Sequence, residues 1–293
     1  STLMRSSAAS DVYKRQGDAY YNLIGNSIID TGHFVKDDAK TAEKAVYSIF
    51  QPKREEAVAA IIAQMQNKDA AAYKDLDDEM KGYMDYVCDT VLTKNTGILN
   101  SDLIDKNDDT YISWAKDEVI SLYTYLNYAI SKNWIDTTKL GENSYSSSEE
   151  IYQEILNYLQ DYLKNDSSFD KLLYENLIKS GSVTGNQVCA ILYEQGVLPM
   201  DESAYNGLLS GSIGAFSWLT GKIQNLEITP GQLALEPCSA GAVVTDPKTG
   251  KVLACVSYPG YDNNRLSNVM DTDYYVQLST GLSRTFYNRA TQE

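Results

Sequence analysis

Histidine is almost missing from this chain: His33 stands alone among 293 residues. No second histidine and no nearby thiol accompany it, so neither a histidine-built metal triad nor a Ser-His-Asp site is expected. Placed after Thr31-Gly32, it reads as a turn histidine. Cysteine is sparse as well. Cys88, Cys189, Cys238 and Cys255 show no Cys-x-x-Cys spacing. Cys255 reads as a small buried residue in mid-strand, and a Cys238–Cys255 bridge stays geometrically open. Positive charge is short: 25 Lys and Arg stand against 40 Asp and Glu, for a net charge of −15. That argues against nucleic acid or an anionic bilayer as partner, because both select basic surfaces. No apolar run reaches the roughly 20 residues that cross a membrane. Hydrophobic content is nonetheless 43%, enough for a real core in one or two domains.

The first sixteen residues, STLMRSSAASDVYKRQ, resemble a translated sequencing-adapter tail. They lack the apolar centre of a signal peptide and read as foreign to the fold. From there to about residue 226 the pattern is helical. A short helix is expected over Asp18 to Ile24, ended by Gly25-Asn26. Asp37 and Asp38 are placed to cap the next, which runs to Phe50 and buries Ala42, Ala45, Val46 and Ile49. Pro52 then restarts the chain, since proline suits a first turn and disrupts later ones. Val58, Ile61, Ile62 and Met65 carry that helix. Leu76 to Leu92 follows with Met80, Tyr83, Met84 and Val87 on one face. Residues 93–116 read as polar loop, and Asp117 to Ser131 as helix. Ser147 and Glu150 form a capping box ahead of Ile151, Ile155, Leu159 and Tyr162. More helices are expected near 168–179, 185–195, 202–209 and 213–225. Gly196 serves as a C-terminal cap and Thr229-Pro230 opens one last short helix.

Several motifs invite a chemical reading. Ser113-Trp114-Ala115-Lys116 and Ser168-Phe169-Asp170-Lys171 both fit Ser-x-x-Lys, which sets a nucleophile one turn from its base. On a polar helix face that spacing is more simply solvated surface. Asp105-Lys106-Asn107-Asp108-Asp109 starts like a calcium loop. Its sixth position is Thr110 where glycine is needed, and its twelfth is Lys116 where an acid is needed. The acid pairs Asp77-Asp78 and Glu149-Glu150 splay apart on a helix and read as surface. Of 23 tyrosines, Tyr83, Tyr86, Tyr123, Tyr128, Tyr158 and Tyr162 follow helical spacing. They read as core-edge filler rather than a sugar platform. No residue is assigned as catalytic, cofactor-binding or metal-binding.

Near the end of the chain the period changes. Gly241 to Thr245 and Val252 to Ser257 are apolar on both faces, joined by Asp246-Pro247-Lys248-Thr249-Gly250. Asp and Pro suit the first positions of a type I turn, and Gly250 can take the positive φ that closes a bulged hairpin. A sheet apolar on two faces expects cover on both. The stretch SAGAVVTDPKTGKVLACVSYPGYDNNRLSN, followed by LSRTFYNRATQE, resembles the opening of the transpeptidase domain in class B penicillin-binding proteins, above all the elongation-type enzymes of clostridia. The likeness covers residues 227–293, and residues 17–226 resemble, more weakly, the helical insertion ahead of that domain.

The resemblance implies an α+β chain: a predominantly helical N-terminal region, then the first antiparallel hairpin of a serine β-lactamase-like transpeptidase domain. It implies a peptidoglycan D,D-transpeptidase whose partners are stem peptides, β-lactams and a SEDS-type glycosyltransferase. Such an enzyme works at the extracellular face of the cell membrane of a Gram-positive-type bacterium, through an anchor expected upstream. In that family the Ser-x-x-Lys nucleophile follows YNRATQE, so it is expected past Glu293. The stretch in hand is then a soluble, inactive fragment. Lys248-Thr249-Gly250 matches a motif of the same enzymes, but there the motif follows the nucleophile on a strand, whereas here it fills a turn. Two other readings stay open: a non-catalytic extracellular scaffold or docking module, and a β-lactam sensor or hydrolase of the same fold.

Overall fold

The computed structural model describes residues 17–141, 147–228, 240–258, 260–267 and 271–280, with isolated residues beyond. The chain divides into two compact units, Ser1–Glu43 with Thr184–Glu293, and Lys44–Val183. It is an α+β chain dominated by helices, with one two-stranded antiparallel sheet among the described residues.

In the first unit, helix α1 covers 17–25 and a 3₁₀ turn follows at Thr31–Val35. The unit resumes with α8 (Gly185–Glu194), α9 (Glu202–Ser210) and α10 (Ala215–Gln224). Every residue of α8 from Val188 to Glu194 is buried, so this helix forms the middle of the unit. Asn186 ties its neighbours to it. The Asn186 amide nitrogen donates to the carbonyls of Leu208 and Ile213, both at 2.8 Å, and its oxygen accepts from the Ala215 amide at 3.1 Å. One side chain thus satisfies the end of α9 and the start of α10. At the head of α8, a Cβ on Gly185 would lie 2.4 Å from the Tyr20 ring. Only glycine allows that approach.

One turn recurs at helix ends. Gly196, Gly211 and Leu226 stand fifteen apart, all with left-handed φ (69°, 75° and 58°). In each case the amide two residues on returns to a carbonyl four residues back: Leu198 to Leu192, Ile213 to Gly207, Ile228 to Lys222. Ser27, Ile29 and Leu23 repeat the arrangement after α1. The returning residue is aliphatic each time, and Ile29, Leu198 and Ile228 are buried, which pins the turn. Gly196 therefore caps its helix as the sequence suggests. The helix expected at Thr229-Pro230 lies outside the described residues.

The second unit begins within α2 (Thr41–Gln66), followed by α3 (Asp78–Asp85), a π-helical segment (Tyr86–Asn95), α4 (Asp109–Ala115), α5 (Leu122–Ser131), α6 (Ser148–Leu163) and α7 (Ser167–Lys179). Pro52 does not restart the chain; it sits inside α2. Burial of Val46 and Phe50 before it, and of Ile61 and Met65 after it, offsets the lost backbone bond. Ala45 and Ile49, expected in the core, are only half-buried. The helix expected through Leu92 changes pitch at Tyr86. The Thr93 and Thr96 hydroxyls donate to the carbonyls of Cys88 and Val91 there, at 2.7 and 2.8 Å.

The stretch read as loop to residue 116 holds α4, because Asp108 caps it by accepting from the Thr110 and Tyr111 amides. Helix α5 starts only at Leu122, capped by Ser121, after Glu118 takes a positive φ of 58°. Ser147 caps α6 by accepting from the Glu150 amide. The buried stripe of α6 is Tyr152, Ile155, Leu156, Leu159 and Leu163, rotated from the expected one, so Ile151 and Tyr162 are half-buried.

The hairpin is β1 (Ala240–Thr245) with β2 (Val252–Tyr258), in register from Ala240 opposite Tyr258 to a bulge at Val244/Thr245. Asp246 builds the turn, accepting from the Lys248 amide at 2.9 Å and the Thr249 hydroxyl at 2.5 Å. Gly250 has φ 70°. The expected cover is not found among the described residues: Val243, Val244, Val252, Leu253 and Val256 are each at least half exposed. Two strands alone have no third layer to lie against. Cys255, expected to be buried, is an exposed free thiol for the same reason, and Cys238 lies outside the described residues. Helix α11 (Thr272–Thr280) follows.

Candidate functional site

The structure places both candidate nucleophiles in helices. The Ser113 hydroxyl donates to the Asp109 carbonyl at 2.8 Å inside α4, and Lys116 is the residue at which that helix ends. Ser168 lies in the first turn of α7, its amide donated to the capping carboxylate of Asp166. Lys248-Thr249-Gly250 forms the hairpin turn. Asp105 accepts from the Asn107 amide and Asp108 caps α4. Asp77 caps α3 by accepting from the Met80 amide at 2.7 Å. The Cys88 and Cys189 thiols are buried, and burial pushes both far above the range in which a thiolate attacks.

The six tyrosines split. Tyr83 is buried, with its hydroxyl donating to Glu79 at 2.5 Å. The Tyr86 and Tyr128 hydroxyls donate to Asp166 and Asp108. Tyr158 stacks on Tyr162, and Tyr123 meets Tyr152 edge-on. These are packing roles.

The densest polar arrangement lies elsewhere, in the first unit, around two buried carboxylates. Glu43 is wholly buried in the first turn of α2. Its Oε2 accepts from the Lys40 amide at 2.8 Å, and its Oε1 from Gln195 Nε2 at 2.8 Å and His33 Nδ1 at 2.7 Å. Glu194, at the end of α8, accepts from the amides of Ala42 at 2.8 Å and Glu43 at 3.0 Å. The Tyr205 hydroxyl adds a third bond to it at 2.5 Å. Gln195 completes the set: its oxygen accepts from the Asp30 amide at 2.8 Å and its nitrogen donates to the Asp30 carbonyl at 2.9 Å. Helix α2 is thus capped by a carboxylate from far along the chain, while its own Glu43 reaches back to Lys40 as in a capping box.

Burial pushes the Glu43 carboxyl upward, but the Lys40 amide, Gln195 and His33 outweigh it and hold the group below its ordinary value. The Glu43 hydrogen bond raises His33, against a smaller opposing effect of burial. Burial and then Glu194 raise Tyr205 to about 12. Sequence reading missed this cluster, yet a signal was present. Glu43 falls in phase with Val46 and Phe50, and Glu194 with Ala190 and Ile191. An acid on a core stripe needs a partner.

The second unit carries an open cleft of about 540 Å³ beside the π-helical segment, lined among others by Asp85, Cys88, Asp89, Trp114 and Glu118. Burial and the Asp85 charge raise the Asp89 carboxyl. Among the described residues no group of three or more His, Cys, Asp or Glu could hold a metal ion, and no helix is long and apolar enough to cross a membrane.

Comparison with known proteins gives one partial likeness. A 58-residue stretch is 43% identical to the peptidoglycan D,D-transpeptidase MrdA of Haemophilus influenzae. It amounts to 20% of this chain and 9% of that protein, so the chain spans about a tenth of the curated relative it matches. No family model matches the chain. No solved structure matches it either. The likeness supports a link to the penicillin-binding proteins.

Proposed function

We propose that this chain is part of a class B penicillin-binding protein, a peptidoglycan D,D-transpeptidase, and that the acylating serine is not among its described residues. The observation that carries the reading is the 43% identity over 58 residues to a protein of that activity. We take the matched stretch to be the one that opens with the hairpin, Ala240–Tyr258. The reading is of an elongation-type enzyme of clostridial kind at the extracellular face of the membrane, beside a SEDS-type glycosyltransferase.

In this reading a serine attacks the penultimate D-Ala carbonyl of a stem peptide. A lysine one turn away takes the hydroxyl proton and passes it to the departing D-Ala, and an amine of a second stem peptide then accepts the acyl group. β-Lactams acylate the same serine. Neither Ser-x-x-Lys of this chain suits that role: Ser113 is spent on the α4 backbone, and Ser168 sits in a helix start far from the hairpin in sequence. The test is the coding sequence beyond codon 293. The reading expects Ser-x-x-Lys soon after YNRATQE; a stop codon at that point would contradict it and favour a self-contained scaffold.

A further inference from the structure

The geometry points to a pH-sensitive latch: protonated His33 clips the 3₁₀ turn Thr31–Val35 onto the first turn of α2 through Glu43, and deprotonation loosens it. Both ring nitrogens of His33 face carboxylates. Nδ1 lies 2.7 Å from Glu43 Oε1 and Nε2 lies 3.5 Å from Asp38 Oδ2. Only the imidazolium has two N–H groups to offer; a neutral ring turns a lone pair toward one of the acids. Glu43 is wholly buried, and His33 is the cation paired with it. The other groups holding Glu43, the Lys40 amide and Gln195 Nε2, are neutral.

The charged and titratable groups around the latch can be named element by element. Helix α2 contributes Glu43 and the link ahead of it Asp38. The end of α8 contributes Gln195, which is neutral, and Glu194, whose oxygens are taken by the Ala42 and Glu43 amides. Helix α9 contributes Tyr205, which donates to Glu194.

The sign follows from the two members. His33 is raised, so its contribution is complete below the ordinary histidine value and fades as pH rises through the raised one. Glu43 is lowered, so its contribution is present above the ordinary glutamate value and fades as pH falls through the lowered one. The latch is tightest between those limits. Each unit by which His33 titrates above its ordinary value is a tenfold preference of the closed turn for the imidazolium.

Because His33 is the only histidine, its ring signals in a proton NMR titration of the whole chain need no assignment. The expected midpoint lies above the ordinary value of about 6.5. Exchange of the Lys40 and Asp30 amides, corrected for intrinsic pH dependence, should quicken with the same midpoint. The exposed Asp38→Asn change should lower the midpoint without altering helix content, and His33→Gln should abolish the pH step in exchange. An unshifted or lowered midpoint would overturn the latch, as would Lys40 protection that stays flat through the titration. Should His33→Gln fail to fold, the native chain and Asp38→Asn still decide.

Discussion

Leu226 shows how much one side chain can say. It occupies the left-handed position that Gly196 and Gly211 hold in the two preceding turns, at φ 58°, and its side chain is largely exposed. A non-glycine residue there is strained by about 1–2 kcal/mol, while glycine adds chain entropy worth about 0.5–1 kcal/mol. Leu226→Gly is therefore expected to stabilise the protein by up to about 1.5 kcal/mol, read as a shift of the urea midpoint with unchanged slope. At the same scale, Glu43 and Glu194 mark the limit of sequence reading. Their phase on apolar stripes was visible, but the partners His33, Gln195 and Tyr205 come from other elements and only the fold brings them together.

Among the elements, α2 is the one that proline ought to have divided. Pro52 lies exposed within a helix of 26 residues that is buried on either side of it. Proline in a helix interior costs about 3 kcal/mol relative to alanine. Pro52→Ala should raise stability by up to that amount in thermal or urea unfolding, and a loss of stability would contradict this. Helices α6 to α10 were legible because apolar period, caps and glycine together mark them, although the buried stripe of α6 is rotated from the expected one. Ser147 and Gly196 are cases in point. Helix α4 was not, because its seven residues carry one buried side chain, Trp114, and its start depends on Asp108. The switch to π-helix at Tyr86 leaves the apolar spacing almost intact, so periodicity passes over it.

For the whole molecule, the hairpin is the stretch whose sequence resembles the penicillin-binding proteins, and its apolar side chains are exposed among the described residues. Its strands were legible, to within a residue at their outer ends, from β-branched apolar runs and turn residues, with the bulge and Gly250. Its burial was not, because cover is a property of neighbouring layers rather than of the strand. An exposed ribbon of valine and leucine is marginal by itself and suits a place within a larger sheet. The helices supply a buried polar clasp; the Ser113 hydroxyl is spent on the Asp109 carbonyl, and Ser168 gives its backbone amide to the cap of α7. We propose that the chain is part of an acyl-transfer enzyme whose acylating serine is not among the described residues. Intact mass spectrometry after incubation with benzylpenicillin should then show an unmodified protein; a stoichiometric adduct of one penicilloyl group, mapped to Ser113 or Ser168, would overturn the proposal.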